Sequence, residues 1–600
     1  MPIVERVWKW HFAASSEALW PLLADTGRLN EAVGFTRYTL TETPRPDGTV
    51  ERIGSSRRFG MTLSWEEGVP EWVWNRRYRH TRRFKSRFVH NVTAEIEFVP
   101  AADGTDVQFC LAITAIWPVA LVLSCGGMRR YGKTLDRLFR KAAGFAETGV
   151  TQGFPVPLAP VSATIRSRVA AQAQALTEGG HQFAGRLASH LLEAPETELE
   201  RMRPRRLARL WGAAPRAIIE TCLAAVRGGM LTLRWDLVCP QCRGAKVTAT
   251  SLDQLPRGAH CPSCNIHFEG DFARNVEVTF EPAPSVRDIG SGGFCLANPL
   301  VSEHIKLQWR VQPGTDVGFA AIDFLDGDYR ARTVEPGGSS DFAVEGGGIP
   351  AISLTQGGPV IGDDGGNSIR VTNLCPVERH AVIEDRRWAQ DALTAHEATT
   401  MQAFRDLFAD AVLRPGDQVA IGRIAFLFTD IKGSSDLYNR VGDARAYGLV
   451  REHYAVLTRA VREHDGAVVK TIGDAVMAAF ADPANALEAA LAIRDGITRF
   501  NRDVAGETGA ETAIVVKLGL HAGPCIAVTL NDRLDYFGRA VNLAARLQGE
   551  SRGGDIVLSD AMAQEPGVAS RLKMLDAILE SALVKGFAEP IALRRIPAAA

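Results

Sequence analysis

The spacing of hydrophobic positions changes several times along the chain, and each change marks a boundary between structural units. Trp8, Trp10 and Phe12 alternate with polar residues, the two-residue period of a half-buried strand. A helical pattern follows near Ser16 to Asn30, then strands that include 94–100 and 107–114, and a basic amphipathic helix over about 128–145. Residues 1–148 therefore read as one unit, a helix and an antiparallel sheet closed by a long helix. Residues 149–230 read as a helical connector. From 275 to 386 the period returns to two: Val276, Val278 and Phe280 alternate, as do Ile305, Leu307, Trp309 and Val311. Glycine-rich turns at 336–338, 346–348 and 357–366 separate these runs and predict a β-rich, sandwich-like domain. Residues 387–416 predict a coupling helix, with Met401, Phe404, Phe408 and Ala411 on one stripe, ending before Pro415-Gly416. In the last segment the spacing predicts strand 423–429, helix 441–463, strands 467–472 and 475–480, helix 484–500 and strand 514–521. That order, βαββαβ, is ferredoxin-like, so the whole reads as a multidomain α+β chain.

At 600 residues the chain is about four times a common domain length, which agrees with several units. With 46% hydrophobic and 23% charged residues, disorder and fibrous architectures are excluded. Lys and Arg number 68 against 69 Asp and Glu, so a net charge of −1 gives no global attraction to nucleic acid, and no nucleic-acid partner is expected. The start, MPIVERVWKW, lacks the features of a secretory leader, and a cytoplasmic location is expected. The uncharged run Phe109 to Met128 has the length of a bilayer span. Pro118 and the alternation of Val107, Phe109, Leu111 and Ile113 predict instead a strand followed by a helix start, so no transmembrane segment is expected.

Residues 1–148 resemble the helix-grip fold of START-like polyketide-cyclase and lipid-transfer domains. The resemblance implies an apolar cavity for a small hydrophobic ligand; a filled core used for docking is the alternative. Cys239-Pro-Gln-Cys242 and Cys261-Pro-Ser-Cys264, eighteen residues apart, match the spacing of a tetrahedral Cys₄ zinc ribbon over 231–274. Structural Zn²⁺ is expected there, with redox use of either pair as the competing reading. Arg76 to Arg87 holds seven cationic residues and no acid, suited to an anionic ligand, a membrane surface or RNA, or to nothing beyond a solvated hairpin. Arg201 to Arg209 is similar. His453, His464 and His521 read as ordinary surface or core histidines.

The chemistry concentrates near the C-terminus. The apolar run Ile424 to Thr429 ends at Asp430, followed by Ile431-Lys432-Gly433-Ser434-Ser435. An acid at the end of a buried strand, before a Gly-Ser turn, is placed to hold a hard cation over backbone N–H groups that bind phosphate. The next two strands turn at Gly473-Asp474, and their pairing would bring Asp430 and Asp474 to one sheet edge, a site for Mg²⁺ shared with a polyphosphate, although each Asp taken singly reads as an ordinary turn residue. Asp535-Tyr536-Phe537-Gly538 precedes a helix carrying Asn542 and Arg546 four apart on one face, which read by themselves as a solvated face or as a pair able to reach a ribose and a phosphoryl oxygen together.

Together these residues resemble the class III nucleotidyl cyclases over about 420–597. FLFTDIKGSSDLY (Phe426–Tyr438) resembles the first metal motif, which implies Asp430 as a ligand. VVKTIGDAVMAAF (Val468–Phe480) resembles the second, implying Asp474 as the other ligand and Lys470 as a purine contact. LDYFGRAVNLAARL (Leu534–Leu547) implies Asp535 as the second base-reading residue, Asn542 as the ribose-orienting group and Arg546 as the transition-state cation. VKGFAEP (Val584–Pro590) resembles the lysine-glycine turn, implying Lys585 at the outer phosphates. The resemblance implies an adenylate cyclase making 3′,5′-cyclic AMP and pyrophosphate from ATP, with two Mg²⁺ or Mn²⁺ per site. It also implies a homodimer in which one chain supplies the metal carboxylates and the other the base-reading, Asn and Arg residues. Lys470 with Asp535 implies ATP, because guanylyl relatives carry Glu and Cys there. Guanylate cyclase and a catalytically silent cyclase-fold scaffold remain the alternatives. Arg539 stands where many relatives carry an acid. The upstream units, including a zinc-containing module like that of some bacterial relatives, are expected to regulate the catalytic end.

Overall fold

A computed structural model describes residues 1–598 apart from 47–48, 59–60, 149–160, 195, 242, 262–265, 273, 290–297, 321–323, 347, 365–367, 387–390, 409–418, 509–511, 531–532 and 588. At the N-terminus the strand Ile3–Phe12 is followed by the helices Ser16–Leu23 and Thr26–Ala32, strands from Thr39–Pro44 to Gly104–Ala115, and the helix Met128–Thr148. Ile3–Phe12 pairs antiparallel with Gly104–Ala115, and Val89–Ala101, Arg77–Phe84 and Glu71–Val73 follow in the sheet. The last helix turns Leu135, Leu138, Phe139 and Ala142 into the core. Trp10 lies 4.8 Å from the Phe139 ring and donates its indole N–H to Asp136 at 2.8 Å, while Trp8 packs on Phe109 and Tyr131. These aromatic side chains pack on one another between sheet and helix, where the resemblance implies a ligand cavity or a filled core.

The sheet does not stop at residue 148. Val73 and Trp72 pair with Leu307 and Gln308 of the strand Ile305–Val311, and Trp72 donates its indole N–H to the Ile305 carbonyl at 2.9 Å. Ile305–Val311, Arg379–Asp385, Gly327–Thr333 and Ser340–Val344 extend the sheet. A second sheet, Asp316–Ala320, Ser368–Asn373, Pro350–Thr355 and Gly358–Asp364, faces it across Leu307, Val311, Tyr329, Val344, Ile352, Ile369 and Val371. Val276–Pro282, read above as the first strand of this β-rich unit, instead pairs with Leu231–Val238, placing Val278 opposite Trp235 and Phe280 opposite Leu233. A two-residue period shows which side chains share a face, not which strand lies alongside.

Three other expectations take a different form. The coupling helix is two short helices, Ala395–Thr399 and Gln402–Leu407, and Ala411 lies outside the described residues. Thr394 and Glu397 form a capping box at the first, and Thr399 and Thr400 donate their hydroxyls back to carbonyls of that turn, which ends it. Four of the five arginines of the Arg201–Arg209 run are paired within the fold: Arg201 with Asp236, Arg203 with Glu277, Arg205 with Glu397 and Arg209 with Asp391, at 2.6–3.1 Å. In the other run Arg77, Arg79, Arg82 and Arg83 pair with Glu95, Glu71, Glu67 and Glu66 across neighbouring strands.

Of the four cysteines, Cys239 follows the Leu231–Val238 strand and Cys261 ends Gly258–Cys261, and both are buried. Cys242 and Cys264 lie outside the described residues. No helix among the described residues is long and apolar enough to cross a membrane.

Glu31, on the helix Thr26–Ala32, is buried, and one of its carboxylate oxygens has no hydrogen-bond partner. Burial and the charge of Glu196 push its pKa from 4.5 to about 7 against the opposing pull of Arg37, Arg287 and Arg28. The folded chain thus keeps a proton that the unfolded chain releases, and stability falls as pH rises from about 4.5 to about 7. Glu31→Gln is expected to flatten that window, leaving Tm unchanged at acidic pH and raising stability by about 1–3 kcal/mol above pH 7. Thermal denaturation of both proteins across pH reads this directly.

Candidate active site

The central strand of the C-terminal unit is Val419–Ile431, and its stretch Ile424 to Phe428 is covered on both faces, which is why that stretch is continuously apolar. Ala425 and Leu427 pack with Leu457 and Val461 of the helix Asp443–Glu463 and with Ala486 and Ala490 of Pro483–Thr508. Ile424, Phe426 and Phe428 share the opposite core with Tyr536 and with Ala540 and Ala544 of the helix Arg539–Gly549. The strands run Gly466–Ile472, Ala475–Phe480, Val419–Ile431, Val516–Leu530, the order expected for a ferredoxin-like unit, and Ile556–Ser559, Ile591–Ile596 and Ile578–Ala582 extend it.

This register assembles the acidic edge. Thr429 pairs with Val476, and Ile472 with Ala475, so the Gly473-Asp474 turn stands beside Asp430. Gly473 has φ 64°, a left-handed conformation that a turn this tight requires and glycine adopts without strain. Burial, and then the negative charge of Asp474, raises the Asp430 pKa, while Lys517, its cross-strand partner, and the Gln548 side chain oppose the rise. One Asp474 carboxylate oxygen is buried without a hydrogen-bond partner. Two adjacent carboxylates, one of them with an orphaned oxygen, fit a hard divalent cation, which would relieve both costs. Among the described residues no group of three or more His, Cys, Asp or Glu gathers for a metal, so the acids here form a pair rather than a closed cage.

Lys470 and Asp535 also come together. The Lys470 ammonium donates to Asp535 Oδ2 at 2.6 Å, and Asp535 Oδ1 accepts from the Tyr536 N–H at 2.8 Å. Asp535 is buried and Lys470 half-buried, so the pair offers one acceptor and one donor at the edge of the core. Asn542 and Arg546 lie on the exposed face of Arg539–Gly549, whose other face buries Ala540, Leu543, Ala544 and Leu547. Gly519 lets that helix sit against the sheet, because a Cβ there would fall 2.1 Å from the Gln548 backbone nitrogen. Lys585 is exposed on the turn after Val584. The guanidinium of Arg539 lies 5.1 Å from the Phe587 ring, which ties the helix start to the Lys585 turn. Lys517 and Gln548 were not singled out from the sequence; the alternation of Val516, Leu518 and Leu520 sets Lys517 on the opposite face of its own strand, and only the strand register puts it across from Asp430. The three histidines bond within the fold: the Nδ1 atoms of His453 and His464 to backbone carbonyls, that of His521 to the Ser559 hydroxyl.

Residues 417–569 match the family described as the adenylate and guanylate cyclase catalytic domain, and residues 167–293 match a family of unknown function (DUF5939). The C-terminal unit is thus a class III adenylate/guanylate cyclase catalytic domain. The chain is 33% identical over 179 residues to an adenylate cyclase of Lachancea kluyveri, covering 27% of this chain and 10% of that protein. It is 28% identical over 188 residues to an adenylate cyclase of Anabaena cylindrica, covering 29% of this chain and 37% of that protein. The match therefore spans about a tenth and well under half of these relatives' lengths. Among solved structures, the adenylyl cyclase CyaB from P. aeruginosa is 22% identical, with 31% of this chain and 97% of that chain covered and a TM-score of 0.27.

Proposed function

We propose that the chain is an adenylate cyclase that converts ATP to 3′,5′-cyclic AMP and pyrophosphate. The observation that carries this reading is the presence, in one cyclase domain, of the Asp430/Asp474 carboxylates and the Lys470–Asp535 pair. In the reaction the ribose 3′-hydroxyl loses its proton, its oxygen attacks the α-phosphorus in line, and the bond to pyrophosphate breaks. Asp430 and Asp474 would hold two Mg²⁺ or Mn²⁺, which when bound supply a lower hydroxyl pKa and neutralise departing charge. Asn542 fixes the ribose, Arg546 stabilises charge on the α-phosphoryl group, and Lys585 meets the outer phosphates. The Asp535 carboxylate accepts from the adenine amino group, and the Lys470 ammonium donates to N1.

A homodimer with two equivalent sites completes this reading, and the exposure of Asn542 and Arg546 supports it. The upstream units regulate: a START-like helix-grip domain, in which the packing of Trp10 on Phe139 and of Trp8 on Phe109 and Tyr131 supports docking over ligand capture, and a zinc ribbon on Cys239, Cys242, Cys261 and Cys264. Contacts to the strands that carry the base-reading pair support this coupling. Val468 N–H donates to the Gln402 side chain at 2.7 Å, Arg405 donates to the Leu534 carbonyl at 3.0 Å, and the Tyr536 hydroxyl donates to the Thr399 carbonyl at 3.3 Å.

The test is to incubate the purified full-length chain with ATP or GTP and Mg²⁺ or Mn²⁺ and to resolve the products by chromatography. Cyclic AMP as the dominant product supports the proposal. Dominant cyclic GMP would make the chain a guanylate cyclase, and no cyclic product from either nucleotide would leave the silent scaffold.

A further inference from the structure

The run Phe109 to Met128 is divided by the fold into two unlike halves. Its first half is buried in the strand Gly104–Ala115, but its second half forms the short helix Trp117–Val122 on the surface, where Trp117 is 71% and Val122 69% exposed. Leu121, one helical turn after Trp117, is also exposed. Two neighbouring strand ends add to this tip. The Ile116 N–H donates to the Phe88 carbonyl at 3.0 Å, and the Ala115 N–H to the Pro2 carbonyl at 3.2 Å, which places Phe88 and Ile3 beside it. Phe88 is 61% and Ile3 65% exposed. Side chains this exposed project from the surface rather than line a groove.

Basic side chains predominate around this tip. Lys85 and Arg87, the part of the first basic run left exposed past the paired arginines, lead directly into Phe88. Arg129, Arg130 and Lys133 follow on the helix Met128–Thr148, and Arg129 is two turns or about 10 Å beyond Val122. Neither residues 72–94 nor 107–135 contain an acid, and Glu5 on the adjacent strand accepts a hydrogen bond from Cys110 Sγ at 3.5 Å. A protein partner would have to supply both a receptor for the projecting apolar side chains and a matching acidic rim. An anionic bilayer supplies both at once: tryptophan and aliphatic side chains enter the headgroup boundary, and lysine and arginine meet phosphate and carboxylate headgroups.

We infer that this tip, formed by Phe88, Trp117, Leu121 and Val122 with the flanking Lys85, Arg87, Arg129, Arg130 and Lys133, docks the chain on the surface of an anionic lipid bilayer. The chain lies on the bilayer and does not span it. The inference is independent of the cyclase reading, because it uses none of the residues of that site.

Co-sedimentation of the full-length chain with phosphatidylcholine vesicles, with and without phosphatidylserine, tests it. Binding to the phosphatidylserine vesicles is expected, weakening as salt is raised. Trp117→Ser with Val122→Ser, and separately Lys85→Glu with Arg87→Glu, are each expected to reduce it at least tenfold. Leu210→Ser, at an exposed leucine elsewhere, should leave binding unchanged. All these positions are exposed, so an unchanged Tm shows that each variant folds. The inference is overturned if the wild-type chain stays in the supernatant at low salt, or if the Trp117/Val122 variant binds as well as wild type. It is equally overturned if that variant changes only the oligomeric mass in solution, which would assign the tip to a second copy of the chain.

Discussion

Asp474→Asn is expected to lower cyclic-nucleotide formation by at least about 10³-fold while leaving the protein as stable as wild type or slightly more so. The two effects have one cause. Asp430 and Asp474 lie close enough that the charge of one raises the pKa of the other, and Asp474 holds a buried oxygen that no group in the chain satisfies. Without a cation this arrangement is unfavourable, since two like charges share a partly desolvated edge. Replacing one carboxylate by an amide removes the repulsion and, with it, the site's affinity for a divalent ion. Asp430→Asn should behave in the same way. Steady-state turnover with saturating Mn²⁺, beside a thermal melt without added metal, reads both effects. A variant that keeps more than a tenth of wild-type turnover, or one that loses activity only because it unfolds, would remove the pair from the chemistry.

The second large effect concerns the base. Lys470 and Asp535 satisfy each other in the substrate-free chain, with the ammonium 2.6 Å from the carboxylate. Adenine would present its edge to an acceptor and a donor that already lie side by side. Guanine presents a carbonyl and an N–H in the opposite arrangement, leaving both protein groups facing the wrong partner at about 1–3 kcal/mol each. Lys470→Glu with Asp535→Cys is therefore expected to lower the ratio of kcat/KM for ATP to that for GTP by about 10²-fold or more. Asp535→Ala alone should weaken ATP use without creating GTP use, because it strands Lys470 beside the core. Measuring kcat/KM for both nucleotides separates these outcomes. An unchanged ratio in the double variant would place base selection elsewhere.

The candidate site was largely legible before any fold was known, for a local reason. Asp430 and Asp474 each adjoin a short apolar strand, and Asn542 and Arg546 are one helical turn apart, so local pattern marks them as candidates, while their roles come from the resemblance of motifs of about fifteen residues to class III cyclases. The pairing of Asp430 with Lys517, and its contact with Gln548, join positions far apart in sequence and carried no local mark. The same distinction governs the basic runs. Arg203 reads in the sequence as part of either an anion-binding element or a solvated face, and in the fold it is paired with Glu277, 74 positions away. Ion pairs of this kind depend on which strands become neighbours, and charge along the chain does not report that.

Periodicity alone determined that the C-terminal unit alternates strands and helices in the βαββαβ order, because burial on one or two faces writes itself directly into residue spacing. Tertiary structure decided the rest. It joined the N-terminal sheet to the β-rich unit through Val73 and Leu307, and it gave Val276–Pro282 to Leu231–Val238. It also broke the expected coupling helix after Thr399 and set the Lys470 ammonium against Asp535. Each of these depends on contacts between segments distant in sequence, whose geometry is set by packing, whereas a hydrophobic pattern specifies only the face that each segment must bury.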